Sequence, residues 1–403
     1  MQTPWRKLYI LSVAGALSWL GSMLTTFAVI LRDKDHIGAV GVSVYLLAFT
    51  IPSIFLAPVT GLVADKYSSR QVILPALVIM GLSSASLAAG FPIWWTPIAL
   101  LITACAGTFV GPSMQAVQVV TTAPEDLPRV AGLMQSMAAA GMLFAPALGG
   151  ILVSTTGYFW PFVIDAISFW LLALVFLAIN LNRKPVEHHA GEKLSAMAGL
   201  KFVFNDRLIR ALVVLVAVLV IALASFNVGE VFLVKDELKA STFIYGIISA
   251  MFPAGSIIGS VVTAAIKLPT QRHALATIAG IGTIIFMMLG LSLATEWWMA
   301  LVLSFFAGFG NSVLEAYAMS IIMTRSPKEA LGRVNAAVGA VIQSGGAIGI
   351  LIAGVAIAAF TVRPVMFVGA VISLLILVVF GPEVLRAGRH HKDSEPQEAV
   401  EKP

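Results

Sequence analysis

The 403-residue chain is 59% hydrophobic and only 11% charged, where a soluble domain carries about a quarter charged residues. Its apolar residues arrive in unbroken blocks of about twenty rather than in amphipathic stripes, which excludes a water-soluble globular fold and implies a bilayer as solvent. One cysteine, Cys105, sits inside an apolar block and excludes an intrachain disulfide or thiolate metal cluster, and a formal net charge of +5 says less here than where the charges fall.

Taken in chain order, the blocks predict spans 1 to 6 at residues 9–31, 40–64, 72–90, 97–120, 130–154 and 161–181. Spans 7 to 12 follow at 210–234, 242–266, 273–293, 297–323, 332–360 and 364–382. The first block is too long for a signal-peptide core and has no small-residue cleavage site behind it, so it stays as span 1. Short connections such as Arg32-Asp33-Lys34-Asp35, Phe91-Pro92 and Thr361-Val362-Arg363-Pro364 carry the charge and turn signals of water-exposed helix ends. One connection is long and polar and divides the chain: an N-terminal bundle at 1–181, a central loop at 182–209, a C-terminal bundle at 210–385 and a polar, disordered tail at 386–403.

An even number of spans puts both termini on one side. Twenty of the 25 lysines and arginines fall on that side, and only Arg32, Lys34, Lys235, Lys239 and Arg363 fall opposite. The positive-inside rule therefore predicts cytoplasmic termini in a plasma or inner membrane. The halves also repeat. Pro124-Glu125-Asp126-Leu127-Pro128-Arg129-Val130 before span 5 is similar to Pro327-Lys328-Glu329-Ala330-Leu331-Gly332-Arg333-Val334 before span 11, at an offset of about 204 residues, and Gly149-Gly150-Ile151-Leu152 echoes Ala353-Gly354-Val355-Ala356 at the same offset. Duplicated halves are how many transporters build two bundles that rock about a central site.

These features resemble the major facilitator superfamily over nearly the whole chain. Gly61-Leu62-Val63-Ala64-Asp65-Lys66-Tyr67-Ser68-Ser69-Arg70 after span 2 is similar to that family's first signature, with Ser68 where the family has a glycine. The resemblance implies a conformational latch, with Gly61 letting helices approach and Asp65 beside Lys66 and Arg70 forming a charge-assisted contact that breaks as the bundles rock. Span 5 carries Gly141-Met142-Leu143-Phe144-Ala145-Pro146-Ala147-Leu148-Gly149-Gly150, similar to the family's exporter signature with one alanine for its middle glycine. That motif, through Gly141, Pro146, Gly149 and Gly150, implies antiport rather than import. Gly132-Leu133-Met134-Gln135-Ser136 and Ile164-Asp165-Ala166-Ile167-Ser168-Phe169 add a likeness to the branch of macrolide-efflux proteins and enterobactin-type exporters, drug:proton antiporters among them. The family's span 4 arginine is absent from Ile102-Thr103-Ala104-Cys105-Ala106-Gly107, which excludes proton coupling through it.

Since every lysine and arginine lies at a span edge or beyond, the carboxyls inside spans stand without a cationic mate. They are the candidates for proton coupling: Glu315 well inside span 10, Glu230 in the outer part of span 7 and Asp165 near the start of span 6. A carboxyl in low dielectric either protonates or takes hydrogen bonds. Asp165 also follows Pro161 at a helix start, where a carboxylate offsets the helix dipole. The fold implied by the resemblance places spans 1, 4, 7 and 10 around a cavity, so Trp19, Met23 and Phe27, Met114, Gln115 and Gln118, Asn227, and Asn311 and Tyr317 are candidate cavity residues. Trp94-Trp95 and Trp297-Trp298 read as interfacial belt anchors.

The chain has no Gly-Lys-Ser or Gly-Lys-Thr phosphate loop, and His188, His189, His390 and His391 lie outside any metal-ligand spacing. The expectation is an all-α integral membrane protein of twelve transmembrane helices in two six-helix bundles with pseudo-two-fold symmetry, not an enzyme. It needs no cofactor, no metal and no nucleic acid, works as a monomer among membrane lipids, and uses a proton gradient to move small amphiphilic molecules out of the cell by alternating access. The alternatives are export of one endogenous metabolite such as a siderophore, lysolipid transport, a passive uniporter, or a non-transporting receptor.

Overall fold

The computed structural model describes residues 3–180, 203–266, 268–326 and 331–389, and within them only helices and short turns occur. Most of the predicted central loop and tail, and the repeated segment Pro327-Lys328-Glu329-Ala330, lie outside the described residues. The last helix runs to Arg389, four residues into the segment assigned to the tail.

Spans 1 and 2 follow each other in one helical trace, Trp5–Lys66, interrupted at Gly38 with φ 60° and ψ −169°. A straight helix of 62 residues would be about 93 Å long, three times the hydrocarbon thickness of about 30 Å. The chain instead turns back at Gly38. Tyr45 Oη donates to Asp33 Oδ2 at 2.8 Å, although twelve residues of helix would set them about 18 Å apart. Glycine suits the reversal because φ near +60° costs it nothing. Among the described residues, eleven apolar helices long enough to cross a bilayer are therefore twelve crossings, the first trace counting twice.

The remaining spans are span 3 (Ser69–Ala88), span 4 (Thr96–Thr121), span 5 (Leu127–Thr156), span 6 (Phe159–Ile179), span 7 (Arg207–Phe232), span 8 (Thr242–Ala265), span 9 (His273–Leu293), span 10 (Trp297–Arg325), span 11 (Leu331–Phe360) and span 12 (Val362–Arg389). Local chemistry sets several ends. Asp206 accepts from the backbone N–H of Leu208 and Ile209 at 2.9 Å, and Ser241 accepts from Ile244 N at 3.2 Å, so orphan donors at the starts of spans 7 and 8 are satisfied. The C-terminal end of span 7 widens into a five-residue π turn, Leu233–Glu237.

In the C-terminal half spans 8, 10, 7 and 11 do not all touch; 8 packs on 10 and 11 on 7, with spans 9 and 12 behind them. The halves meet through span 5 on span 8 and through span 2 on span 11. The end at which the first trace starts is here the terminal end: Thr3 Oγ1 donates to Asp126 Oδ2 at 2.5 Å and the Arg129 guanidinium sits 4.4 Å over the Trp5 ring, tying the start of span 1 to the connection between spans 4 and 5. The opposite end is the distal end.

Candidate functional site: a cleft sealed at the distal end

The small residues of span 5 decide how the halves touch. Built onto Gly150, a Cβ would lie 3.0 Å from the Thr242 carbonyl oxygen and 3.1 Å from Gly246 Cα of span 8, so no larger residue fits without moving backbone. Gly354 of span 11 makes the matching approach to Ala39 and Ser43 of span 2. Gly141 and Gly149, on another face of span 5, receive Trp19 and Phe27 of span 1, each with a ring carbon 2.8 Å from the position of an added Cβ.

Around those contacts one buried apolar cluster crosses from half to half. Phe27, Val29, Val42, Tyr45 and Val153 join Val228, Val231, Tyr245, Ile350 and Ile357. Phe27 and Tyr245 stack with ring centroids 4.9 Å apart. Above the cluster, Lys34 reaches from the turn between spans 1 and 2 to Asp236 of the other half, Nζ to Oδ1 2.6 Å, and to Asp35 at 2.5 Å, with its own side chain only 5% exposed. Its ammonium also lies 5.8 Å from the centroid of the Phe232 ring. Asp33, equally buried, is held by Arg32 and Tyr45, while Arg363 pairs with Glu237 within the C-terminal half.

Toward the terminal end the other three clusters each stay within one half. A hydrogen bond of 3.4 Å from Ser53 Oγ to Gln343 Oε1 still crosses, and beyond it Phe55 and Leu62 of span 2 stand 74% and 71% exposed. Among the described residues, then, the halves are closed at the distal end and part toward the terminal end.

The three carboxyls occupy different surroundings. Asp165 is fully buried and accepts from Ser84 Oγ at 2.5 Å, Thr25 Oγ1 at 2.8 Å and Ser22 Oγ at 3.3 Å, hydroxyls of spans 3 and 1. It lies six residues beyond Phe159, the first residue of span 6, past the first turn in which the helix dipole acts. The dipole role expected from Pro161 is replaced by this hydroxyl cage inside the N-terminal half. Glu230 is half-buried near the distal seal and accepts from Ser249 Oγ of span 8 at 3.0 Å. Glu315 is exposed, accepts from Asn311 Nδ2 at 3.1 Å, and lines a cavity of about 340 Å³ between spans 7, 10 and 11. Spans 8 and 11 carry the contact with the other half, with span 10 packed on 8 and span 7 on 11, and the cavity walls come from spans 7, 10 and 11.

Of the other candidates, Gln115 and Asn227 are exposed, and Met23, Gln118 and Asn311 are half-buried. Met114 packs on the core of the N-terminal half. Phe27 belongs to the distal seal, and Tyr317 is buried against His273 with ring centroids 5.1 Å apart. Trp19 is exposed beside Gly141. In the first-signature loop, Arg70 donates to Asn180 Oδ1 at 2.5 Å and to the Leu177 carbonyl at the end of span 6, and Lys66 Nζ lies 5.7 Å from the centroid of the Tyr67 ring. The packing around Gly61 and the Asp65 side chain lie outside what the structure describes.

Sequence reading missed the cross-half ion pair and placed Arg32-Asp33-Lys34-Asp35 at a water-exposed helix end. The signal was present: Lys235-Asp236-Glu237 is a second mixed-charge run at nearly the repeat offset. Among the described residues no three His, Cys, Asp or Glu side chains gather to hold a metal ion.

Two duplicated six-helix bundles meeting through spans 2, 5, 8 and 11, with a cleft open at one end, define a secondary membrane transporter. The chain belongs to the Major Facilitator Superfamily, whose model matches residues 11–266 and 214–403; it is a transporter and not an enzyme. It is 26% identical over 346 residues to the enterobactin exporter EntS of Escherichia coli (strain K12), covering 84% of this chain and 82% of that protein. It is 25% identical over 301 residues to a multi-drug resistance efflux pump PmrA homolog of Lactococcus lactis subsp. lactis (strain IL1403), covering 72% of each. The crystal structure of the nucleoside transporter NupG matches 93% of this chain and 97% of its own with a TM-score of 0.73 at 17% identity.

Proposed function

We propose that the chain exports small amphiphilic molecules in exchange for protons by alternating access, with its termini in the cytoplasm. The observation that carries this reading is the cleft: sealed at the distal end, it leaves the cavity beside Glu315 facing the terminal end, the side on which an exporter loads. The excess of lysine and arginine there supports a cytoplasmic terminal side. Glu315 and Glu230 carry the coupling, Glu315 at the cargo cavity and Glu230 next to the seal that must open. Asp165, gripped by three hydroxyls away from the cleft, has the structural part. Asp65, Lys66 and Arg70 close the terminal end in the opposite state.

A second reading, export of one endogenous metabolite such as a siderophore, is favoured by the 26% identity to the enterobactin exporter. Both are tested in proteoliposomes with an imposed pH gradient and a panel of labelled cargos. Proton-driven accumulation of several unrelated amphiphiles, lost in Glu315→Gln, supports the first reading. Accumulation of a single catecholate cargo supports the second, and equilibration without accumulation contradicts both.

A further inference from the structure

We infer that the groove between spans 1 and 6 at the terminal end holds one acyl chain of an anionic phospholipid, with the phosphate seated on Arg6. What the chain transports, and in which direction, does not enter. The groove has a volume of about 330 Å³, and Tyr9, Ile10, Val13 and Leu17 of span 1 line it with Leu171 and Val175 of span 6, over Ala14. Ala14 is only 5% exposed, whereas Tyr9, Ile10, Val13, Leu17 and Leu171 all stand exposed. A small residue between larger walls thus makes a furrow on the outer face of the bundle.

Arg6, Ile10, Val13 and Leu17 recur at helical spacing, so Arg6 is centred over the furrow, one turn before Ile10. Arg6 and Lys7 are both exposed, and among the described residues no ion pair includes either. Span 1 starts at Trp5, which puts these cations at the membrane surface. From Arg6 to Leu17 the helix rises about 16 Å, half the hydrocarbon thickness of about 30 Å and so the depth of one leaflet. Trp5 and Tyr9, with ring centroids 5.9 Å apart, give the mouth an aromatic rim. Apolar walls as deep as a leaflet take an acyl chain, and a guanidinium at the mouth takes a phosphate through paired N–H donors. The cavity of about 450 Å³ between spans 7, 11 and 12 is as apolar and reaches the distal turn, but Arg363 at that turn is already held by Glu237 and the Ser292 carbonyl. Charge therefore singles out the groove at the terminal end for an anionic lipid. With the termini in the cytoplasm, its leaflet is the one in which anionic lipids gather.

Native mass spectrometry of detergent-purified protein, titrated with dioleoylphosphatidylglycerol or dioleoylphosphatidylcholine, tests this. The two lipids share their chains and differ in net charge, so the ratio of their first-adduct affinities isolates the headgroup. The wild type is expected to favour phosphatidylglycerol, and Arg6→Gln to lower that preference about fivefold, the effect of one basic residue at an anionic surface. Arg272→Gln, at an exposed arginine of the terminal end in the other half, should leave it unchanged. Val13→Trp, at an exposed position where folding should be undisturbed, fills the furrow and should weaken both lipids together. A wild type without preference, or a preference that Arg6→Gln leaves intact, overturns the inference. So does a preference lowered equally by Arg272→Gln, which would mean diffuse attraction to a basic surface. Val13→Trp protein that binds both lipids as the wild type does, or a dimer of this chain that Val13→Trp breaks in place of lipid adducts, overturns it as well.

Discussion

Gly150 and Gly354 stand at equivalent places in the two halves and make the same contact, the first against Thr242 and Gly246 at the start of span 8, the second against Ala39 and Ser43 at the start of span 2. The partners are related by nearly the same offset as the glycines. Closure at the distal end is thus a pair of symmetry-related backbone approaches, with stacked aromatic rings and an ion pair laid over them.

Filling one approach should hold the distal end open. Gly150→Val places side-chain atoms where the Thr242 carbonyl and Gly246 Cα now lie, and overpacking of this kind costs roughly 1–3 kcal/mol. In a Cys105→Ser background carrying Phe27→Cys, labelling by an impermeant maleimide added from the distal side is expected to rise several-fold with Gly150→Val. Unchanged labelling would mean that the seal does not depend on this contact.

The ion pair between Lys34 and Asp236 joins a buried ammonium to a carboxylate that is 48% exposed. Solvent screening at the acid holds the effect of Asp236→Ala to about 1 kcal/mol against the sealed state, roughly fivefold in the open-to-closed ratio. Spin-label distances across the distal end should report that shift. The exchange Lys34→Asp with Asp236→Lys should recover part of it, and Lys34→Ala should do more harm than Asp236→Ala because it leaves both Asp35 and Asp236 without the ammonium they share.

Asp165 makes a different prediction, for stability. Asp165→Leu strips acceptors from the buried Thr25 and Ser84 hydroxyls, at roughly 1–3 kcal/mol for each donor left unsatisfied. Thermal unfolding in detergent should show a clear loss for Asp165→Leu and a smaller one for Asp165→Asn, which keeps an oxygen acceptor. Proton-driven transport by the surviving Asp165→Asn protein should persist. Loss of drive without loss of stability would move Asp165 into the coupling machinery.

The twelve crossings are legible because hydrocarbon imposes uninterrupted apolar length, and that pattern survives in any context. The turn at Gly38 is harder to read, since charged Arg32 to Asp35 remain helical and only one backbone angle pair reverses the chain. Gly150 and Gly354 could be found through the repeat, but their partners could not, because which helix approaches a glycine depends on how the bundles dock. The surroundings of Asp165 come from Ser22, Thr25 and Ser84 on two other spans, and burial of Lys34 comes from the other half of the chain. Neither leaves a local pattern. The depth of Glu315 within span 10 is a local property, and its cavity is not.

The most direct test is cargo-induced proton release from purified protein in weakly buffered detergent, comparing the wild type with Glu315→Gln and Glu230→Gln. Release from the wild type that vanishes in Glu315→Gln, while Glu315→Asp retains it, is the result expected of cargo and proton sharing that carboxyl. Release of the same size in Glu315→Gln and in the double variant with Glu230→Gln would contradict it.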